Sequence, residues 1–285
     1  MNISQPILNK TQLEAFIQEG FTILPNAVPP VLLQKLRLLF EEKMNSPDVS
    51  DKAVNTVNGQ SYITNVEYLF KSNNLACLEL LGSPFMLETA ETICGPGFFL
   101  IQEFAVIKML GDNIEVLWHQ DMLHRRTGNC FTMGIYLDDA NAEDGCLRVV
   151  PASHTSEKDI CTLKEEPYIE VPVNAGDILI HDMMLAHSSG IMQHNCLRRV
   201  LYFEFISFKQ AVGENIYTEE QLYDRMRLIQ LAVEYYQLKH PGEKKFEWNN
   251  TLAIPTESID SVHEILSDIH RAKSLGKPSA YCFNH

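Results

Sequence analysis

Apolar positions along the chain fall into three regimes, and the middle one differs in period from its flanks. Leu13, Phe16 and Ile17 recur at helical spacing behind Thr11 and Glu14, which read as a capping box, and Gly20 closes this short helix. Phe21 to Leu24 reads as a strand. Pro29-Pro30 then opens a helix carrying Leu32, Leu33, Leu36, Leu39 and Phe40 on one face. Residues 45 to 63 are polar and predict a loop, and residues 73 to 94 predict further helix.

From Phe98 the period changes. Phe98 to Met109 is apolar and strand-like. Phe131, Met133, Ile135 and Leu137 alternate with Thr132, Gly134 and Tyr136, a period of two. Short strands are predicted over 146–150, 168–173, 177–180 and 199–208, separated by turn signals at Asp144-Gly145, Pro151 and Asn174-Ala175-Gly176-Asp177. Many short strands at close spacing predict a sandwich or barrel, not a parallel α/β sheet. Helical spacing then returns. Thr218 and Gln221 form a capping box ahead of Leu222, Met226, Ile229, Val233 and Tyr236, whose Met and Tyr stripe reads as a core face. A last helix carries Val262, Ile265, Leu266 and Ile269. The expectation is one domain over 1–285: a helical N-terminal region over 1–95, a β core over 96–210 and a helical C-terminal region over 211–285.

Composition narrows the function. The chain has 285 residues, 45% of them hydrophobic, enough for a sizeable core. A formal net charge of −14 disfavours nucleic acid and anionic membranes as partners, because phosphate attraction needs a basic surface. No stretch is long and apolar enough to span a membrane, and the N-terminus lacks a signal-peptide pattern. Seven widely spaced cysteines without a CxxC predict reduced thiols in the cytoplasm. The sequence does not report the oligomeric state.

Within the β region, Trp118-His119-Gln120-Asp121 places a histidine and a carboxylate on one face of a strand. Two adjacent ligands of one metal have that geometry. With a second histidine they form the 2-His-1-carboxylate set that suits non-heme Fe(II) binding a co-substrate and dioxygen together. His187 near an apolar strand end and His181 both qualify. They share parity on an uninterrupted strand, and spacing does not choose between them. Arg198-Arg199 could grip a carboxylate bidentately. Arg199, Leu201, Phe203 and Phe205 form the more apolar face, which favours Arg198 as the inward residue.

These residues resemble the phytanoyl-CoA dioxygenase family of Fe(II)/2-oxoglutarate oxygenases. The match lies in WHQDM (118–122), DGCLRVVPASH (144–154) and GDILIHDMMLAHSSG with LRRVLYFEF (176–205), and it extends over about 10–210. The resemblance implies a double-stranded β-helix (jelly-roll, cupin-like) with flanking helices. It implies Fe(II) on His119, Asp121 and His187, and 2-oxoglutarate on Arg198 helped by Ser189, with Gln120 and Lys108 near the co-substrate pocket. His181 becomes a neighbour of the site. The implied reaction consumes dioxygen and 2-oxoglutarate, gives succinate and carbon dioxide, and by default hydroxylates a small organic substrate. A cupin-like metal enzyme without 2-oxoglutarate and a non-catalytic metal-binding module are the competing readings; Arg198 and the intact ligand set argue against them. His124, Arg125 and Arg126 could meet an anionic substrate at the mouth, with helix 218–238 opposite. A small metabolite is favoured over an acyl-CoA, since no second basic run offers itself to a long nucleotide. Two departures stand out: family members often carry Trp at the position of Gly134, implying a roomier pocket or a different co-substrate wall here, and Gly at the position of Ala152.

Overall fold

The computed structural model describes residues 8–123, 126–194, 197–214, 217–248, 259–271 and 279–283. The chain opens with α1 (Lys10–Glu19), β1 (Phe21–Leu24) and α2 (Pro30–Asn45). The cap of α1 is Asn9, not Thr11. Its side chain accepts from Gln12 N–H and Gln12 Oε1 accepts from Asn9 N–H, so the helix begins before the expected box. The expected loop at 45–63 contains a hairpin of β2 (Lys52–Val57) and β3 (Gln60–Glu67). Asn58 and Gly59 supply its turn with φ of 52° and 82°, the left-handed pair that a two-residue hairpin loop demands. Helix 73–94 is two helices, α3 (Ala76–Leu81) and α4 (Pro84–Cys94), interrupted at Gly82-Ser83-Pro84.

The core strands are β4 (Phe98–Met109), β5 (Val116–Gln120), β6 (Cys130–Tyr136) and β7 (Leu147–Val149), then, after a one-turn α5 (Ile160–Leu163), β8 (Ile169–Val171), β9 (Ile178–Asp182), β10 (His187–Ser189) and β11 (Leu197–Ser207). Helices α6 (Phe208–Glu214), α7 (Glu219–Lys239) and α8 (Val262–Arg271) follow, and a two-residue β12 (Ala280–Tyr281). All pairings are antiparallel. One sheet has the order β1-β9-β6-β11-β4-β3-β2, the other β12-β5-β10-β7-β8. This is the expected double-stranded β-helix flanked by helices.

Strand parity divides the apolar residues between two layers. On β11, Leu201, Phe203 and Phe205 join Leu36, Phe40, Leu78, Phe85 and Leu228 in the core under α2, α3, α4 and α7. The alternate residues Val200 and Tyr202 turn the other way and pack with Leu147, Val149, Val171 and Leu179 between the sheets. The stripe Met226, Ile229, Val233 and Tyr236 of α7 is buried, as are Val262, Ile265, Leu266 and Ile269 of α8. A buried ion pair, Arg225 Nη1 to Glu103 Oε2 at 2.9 Å, fastens α7 to β4. Helix α7 therefore lies behind the seven-stranded sheet and does not wall the pocket.

Not all thiols are reduced. Cys161 on α5 is disulfide-bonded to Cys282, 121 residues later. Cys77, Cys94, Cys130 and Cys146 form no disulfide, and Cys196 lies outside the described residues. Wide spacing misled the expectation, because a bridge depends on proximity in the fold and the fold brings residue 282 back to α5.

Candidate metal centre and co-substrate pocket

His119 and His187 are cross-strand partners on β5 and β10. Asp121 follows β5 directly. One ligand atom from each of the three lies within 4.8 Å of the others. His119 Nε2 is 3.4 Å and His187 Nε2 3.8 Å from Asp121 Oδ1. Both rings donate Nδ1–H to a backbone carbonyl two residues back, His119 to Leu117 at 2.8 Å and His187 to Leu185 at 2.9 Å. A carbonyl can only accept, so each Nε2 lone pair is left facing the common point. Burial, with His119 beside it, pulls the His187 pKa well below the ordinary histidine value and keeps the ring in the neutral form that ligates.

His181 and His187 do not share a strand. The chain leaves the larger sheet after Asp182 and enters the smaller one at His187. Both nevertheless face the same centre. His181 Nε2 is 3.2 Å from Asp121 Oδ2, and Thr132 Oγ1 donates to that same oxygen at 3.2 Å. One carboxylate oxygen is thus held by β6 and β9, while the other faces His119 and His187. Sequence parity could not see this, because it assumed an unbroken strand.

The pocket around these groups has a volume of about 520 Å³ and is lined by His119, Asp121, His187, Ser189, Arg198 and Tyr202, among others. Arg198 is 1% exposed. Its guanidinium lies over the Tyr136 ring at 5.6 Å and reaches the Tyr202 hydroxyl at 3.4 Å. Its Nε has no hydrogen-bond partner, and no carboxylate pairs with it among the described residues. Arg199 differs: its Nε and Nη2 both meet Asp138 at 2.8 Å. Opposite Arg198 in the strand register, Lys108 donates to Ser189 Oγ at 2.7 Å and to the carbonyls of Ser189 and Gly190. Burial, then Arg198, lowers the Lys108 pKa to about 7 despite those three acceptors. Lys108 has Asp112 and Glu115 nearby, but Arg198 has no carboxylate partner among the described residues, and a carboxylate of 2-oxoglutarate fits that demand.

Other expected residues stand further off. Gln120 turns aside and donates to the Met184 carbonyl. Arg126 is paired with Asp182 and is not among the pocket-lining residues. His124 and Arg125 lie outside the described residues. Of the two expectations at Gly134, the roomier pocket fails and a different wall remains: a Cβ there would come within 3.1 Å of the Tyr202 ring, which lines the pocket and stacks on Phe104 at 5.3 Å. Sequence reasoning missed the strand Ala280–Tyr281, which pairs with β5 and sets Tyr281 against His119. Two residues carry no periodic signal, so nothing in the pattern marked it.

The model of the phytanoyl-CoA dioxygenase family matches residues 16–200. The chain belongs to that family. Among curated proteins none matches it. Among solved structures, EvdMO1 is 25% identical with a TM-score of 0.64, over 70% of this chain and 50% of that one. AviO1 from Streptomyces viridochromogenes Tue57 is 24% identical with a TM-score of 0.66, over 72% and 98%. The epimerase SnoN, solved with Fe3+, alpha ketoglutarate and nogalamycin RO, is 16% identical with a TM-score of 0.59, over 70% and 83%. The chain thus spans half the length of EvdMO1 and nearly all of AviO1. With the family established and the His-Asp-His set assembled, the protein is a dioxygenase dependent on iron and 2-oxoglutarate.

Proposed function

We propose that the protein hydroxylates an unactivated C–H bond of a small organic molecule, as one oxygenase domain over residues 1–285. His119, Asp121 and His187 hold the iron. Arg198 binds the far carboxylate of 2-oxoglutarate, with Ser189 and Lys108 beside it. The iron, when bound, activates dioxygen at the expense of 2-oxoglutarate, which leaves as succinate and carbon dioxide. The protein's own role is to fix three ligand atoms, neutralise the co-substrate and exclude water between its sheets.

One observation carries this reading: a buried arginine, Arg198, with no acid partner among the described residues opens into the same pocket as the ligand triad. It favours a 2-oxoglutarate enzyme over a cupin-like metal enzyme without that co-substrate. The substrate is a small molecule, as the named ligands of relatives suggest: nogalamycin RO with SnoN, 5-hydroxyectoine with EctD. The acid excess speaks against nucleic acid. An anionic group on the substrate could meet Arg126 only if that side chain leaves Asp182. A cytoplasmic location rests on the four cysteines that form no disulfide. The Cys161–Cys282 bridge pulls the other way, and its oxidation state in cells tests the assignment.

The experiment is a metabolite screen with Fe(II), ascorbate and 2-oxoglutarate under air. The reading expects iron-dependent succinate release that one or more candidates stimulate, with a product heavier by one oxygen atom. No succinate under any condition would overturn it.

A further inference from the structure

Strand β12 is too short to hold its own place, since an isolated two-residue pairing is marginal in water. It lies at the edge of the sheet that carries the ligands, with Ala280 opposite Gln120 and Tyr281 opposite His119. Cys282 N–H continues the ladder to the Trp118 carbonyl at 3.0 Å. Alternation then sorts the side chains. Ala280 and Cys282 face away from the pocket and pack with Trp118, Val150, Ile160, Leu163 and Ala186, where Cys282 is bonded to Cys161. Tyr281 and Phe283 face the pocket and line it. The disulfide thus fixes the parity of the strap and, with it, which rings reach the pocket.

Tyr281 lies flat on His119, with ring centroids 4.8 Å apart and planes 2° from parallel. Yet it remains 42% exposed, and Phe283, 6.0 Å from it, 62% exposed. Ile114, Val116 and Leu117 add apolar surface to the same pocket. Two aromatic rings held in water at a pocket mouth by a covalent pin gain little from folding and much from a ligand that covers them. We propose that residues 280–283 are a substrate-positioning wall, selecting molecules that present a flat, apolar face to Tyr281 and Phe283 next to the His119 ligand. This deepens the proposed function and rests on it. The rings set the distance of such a face from the metal, and the Cys161–Cys282 bond keeps them there.

The test uses the full chain loaded with Zn(II) and 2-oxoglutarate, with 2-naphthol as the flat probe and decahydro-2-naphthol as its saturated counterpart. Binding is followed by saturation-transfer NMR. The wall predicts that 2-naphthol binds about tenfold more tightly than the saturated alcohol. Tyr281→Ala and Cys282→Ser should erase most of that preference, and Tyr281→Phe should keep it. Phe283→Ala, at a residue too exposed to matter for folding, should reduce it and serves if Tyr281→Ala does not fold. Equal binding of the two alcohols by the wild type, or an undiminished preference in Tyr281→Ala or Phe283→Ala, overturns the wall. A calorimetric titration of the Zn(II) protein with 2-oxoglutarate separates the two readings. Failure there overturns the proposed function and the wall with it, whereas success with no aromatic preference overturns the wall alone.

Discussion

Replacing Arg198 by Ala should weaken 2-oxoglutarate binding far more than replacing Arg199. The two arginines are adjacent, yet the strand turns them to opposite layers. Arg198 is buried over Tyr136 with no acid to satisfy it among the described residues, so its charge awaits the co-substrate. A desolvated, charge-assisted bidentate pair with a carboxylate contributes about 2–4 kcal/mol, which is a loss of about 30- to 1000-fold in affinity. Arg199 already spends its guanidinium on Asp138, through two contacts of 2.8 Å. Its loss strands a largely buried carboxylate and should cost about 2–4 kcal/mol of stability, less than a fully buried pair because Asp138 keeps some solvent. The assay is anaerobic calorimetry of 2-oxoglutarate into the Fe(II) protein, beside thermal melts of both variants. Arg198→Ala should lose affinity and keep most of its melting temperature; Arg199→Ala should do the reverse. Equal affinity losses, or the larger loss at Arg199, would refute the assignment of the inward face.

Lys108 should make co-substrate binding proton-linked. Its pKa lies at about 7, so the cation is lost as pH rises through that value, and 2-oxoglutarate affinity should fall by up to about tenfold per unit above it. Lys108→Met should flatten the profile between pH about 6 and about 8.5. The sign for stability is opposite. The free protein binds fewer protons than the unfolded chain between about 7 and 10.5, so burying Lys108 weighs on stability at low pH and is relieved as pH rises across that window. Arg225→Ala leaves Glu103 buried without its cation and should destabilise by about 3–5 kcal/mol, read from urea midpoints. Ala152 sits at φ 60°, a left-handed conformation that suits glycine, so Ala152→Gly should stabilise by about 1 kcal/mol in the same assay. An unchanged midpoint would mean that the greater freedom of glycine in the unfolded chain cancels the relief.

The sheet core and the His119-Asp121 pair were legible because both are written in short-range pattern. Alternation at 131–137 predicted β6, and the parity of 198–205 separated Arg198 from the apolar face. The choice between His181 and His187 was not legible from spacing. It depends on the chain changing sheets after Asp182, and a period of two holds only along a strand that does not. The β2–β3 hairpin was legible but passed over: Asn58-Gly59 is a strong turn signal inside a stretch whose polarity suggested a loop. Polar residues there fit a strand because the hairpin lies at the edge of its sheet. The strap at Tyr281 and the Cys161–Cys282 bridge were beyond local pattern altogether, since each depends on residues more than a hundred positions apart meeting in space. Gly134 shows the same limit at smaller scale: a missing side chain suggested room, but Tyr202 from the neighbouring strand occupies it.

The most direct test of the iron assignment is anaerobic Fe(II) binding to four proteins: the wild type, His119→Ala, His187→Ala and His181→Ala. One iron per chain is expected for the wild type and for His181→Ala, because His181 only steadies Asp121 through its outer oxygen, and no retained iron in the other two. Iron lost from His181→Ala but kept by His187→Ala would contradict the assignment.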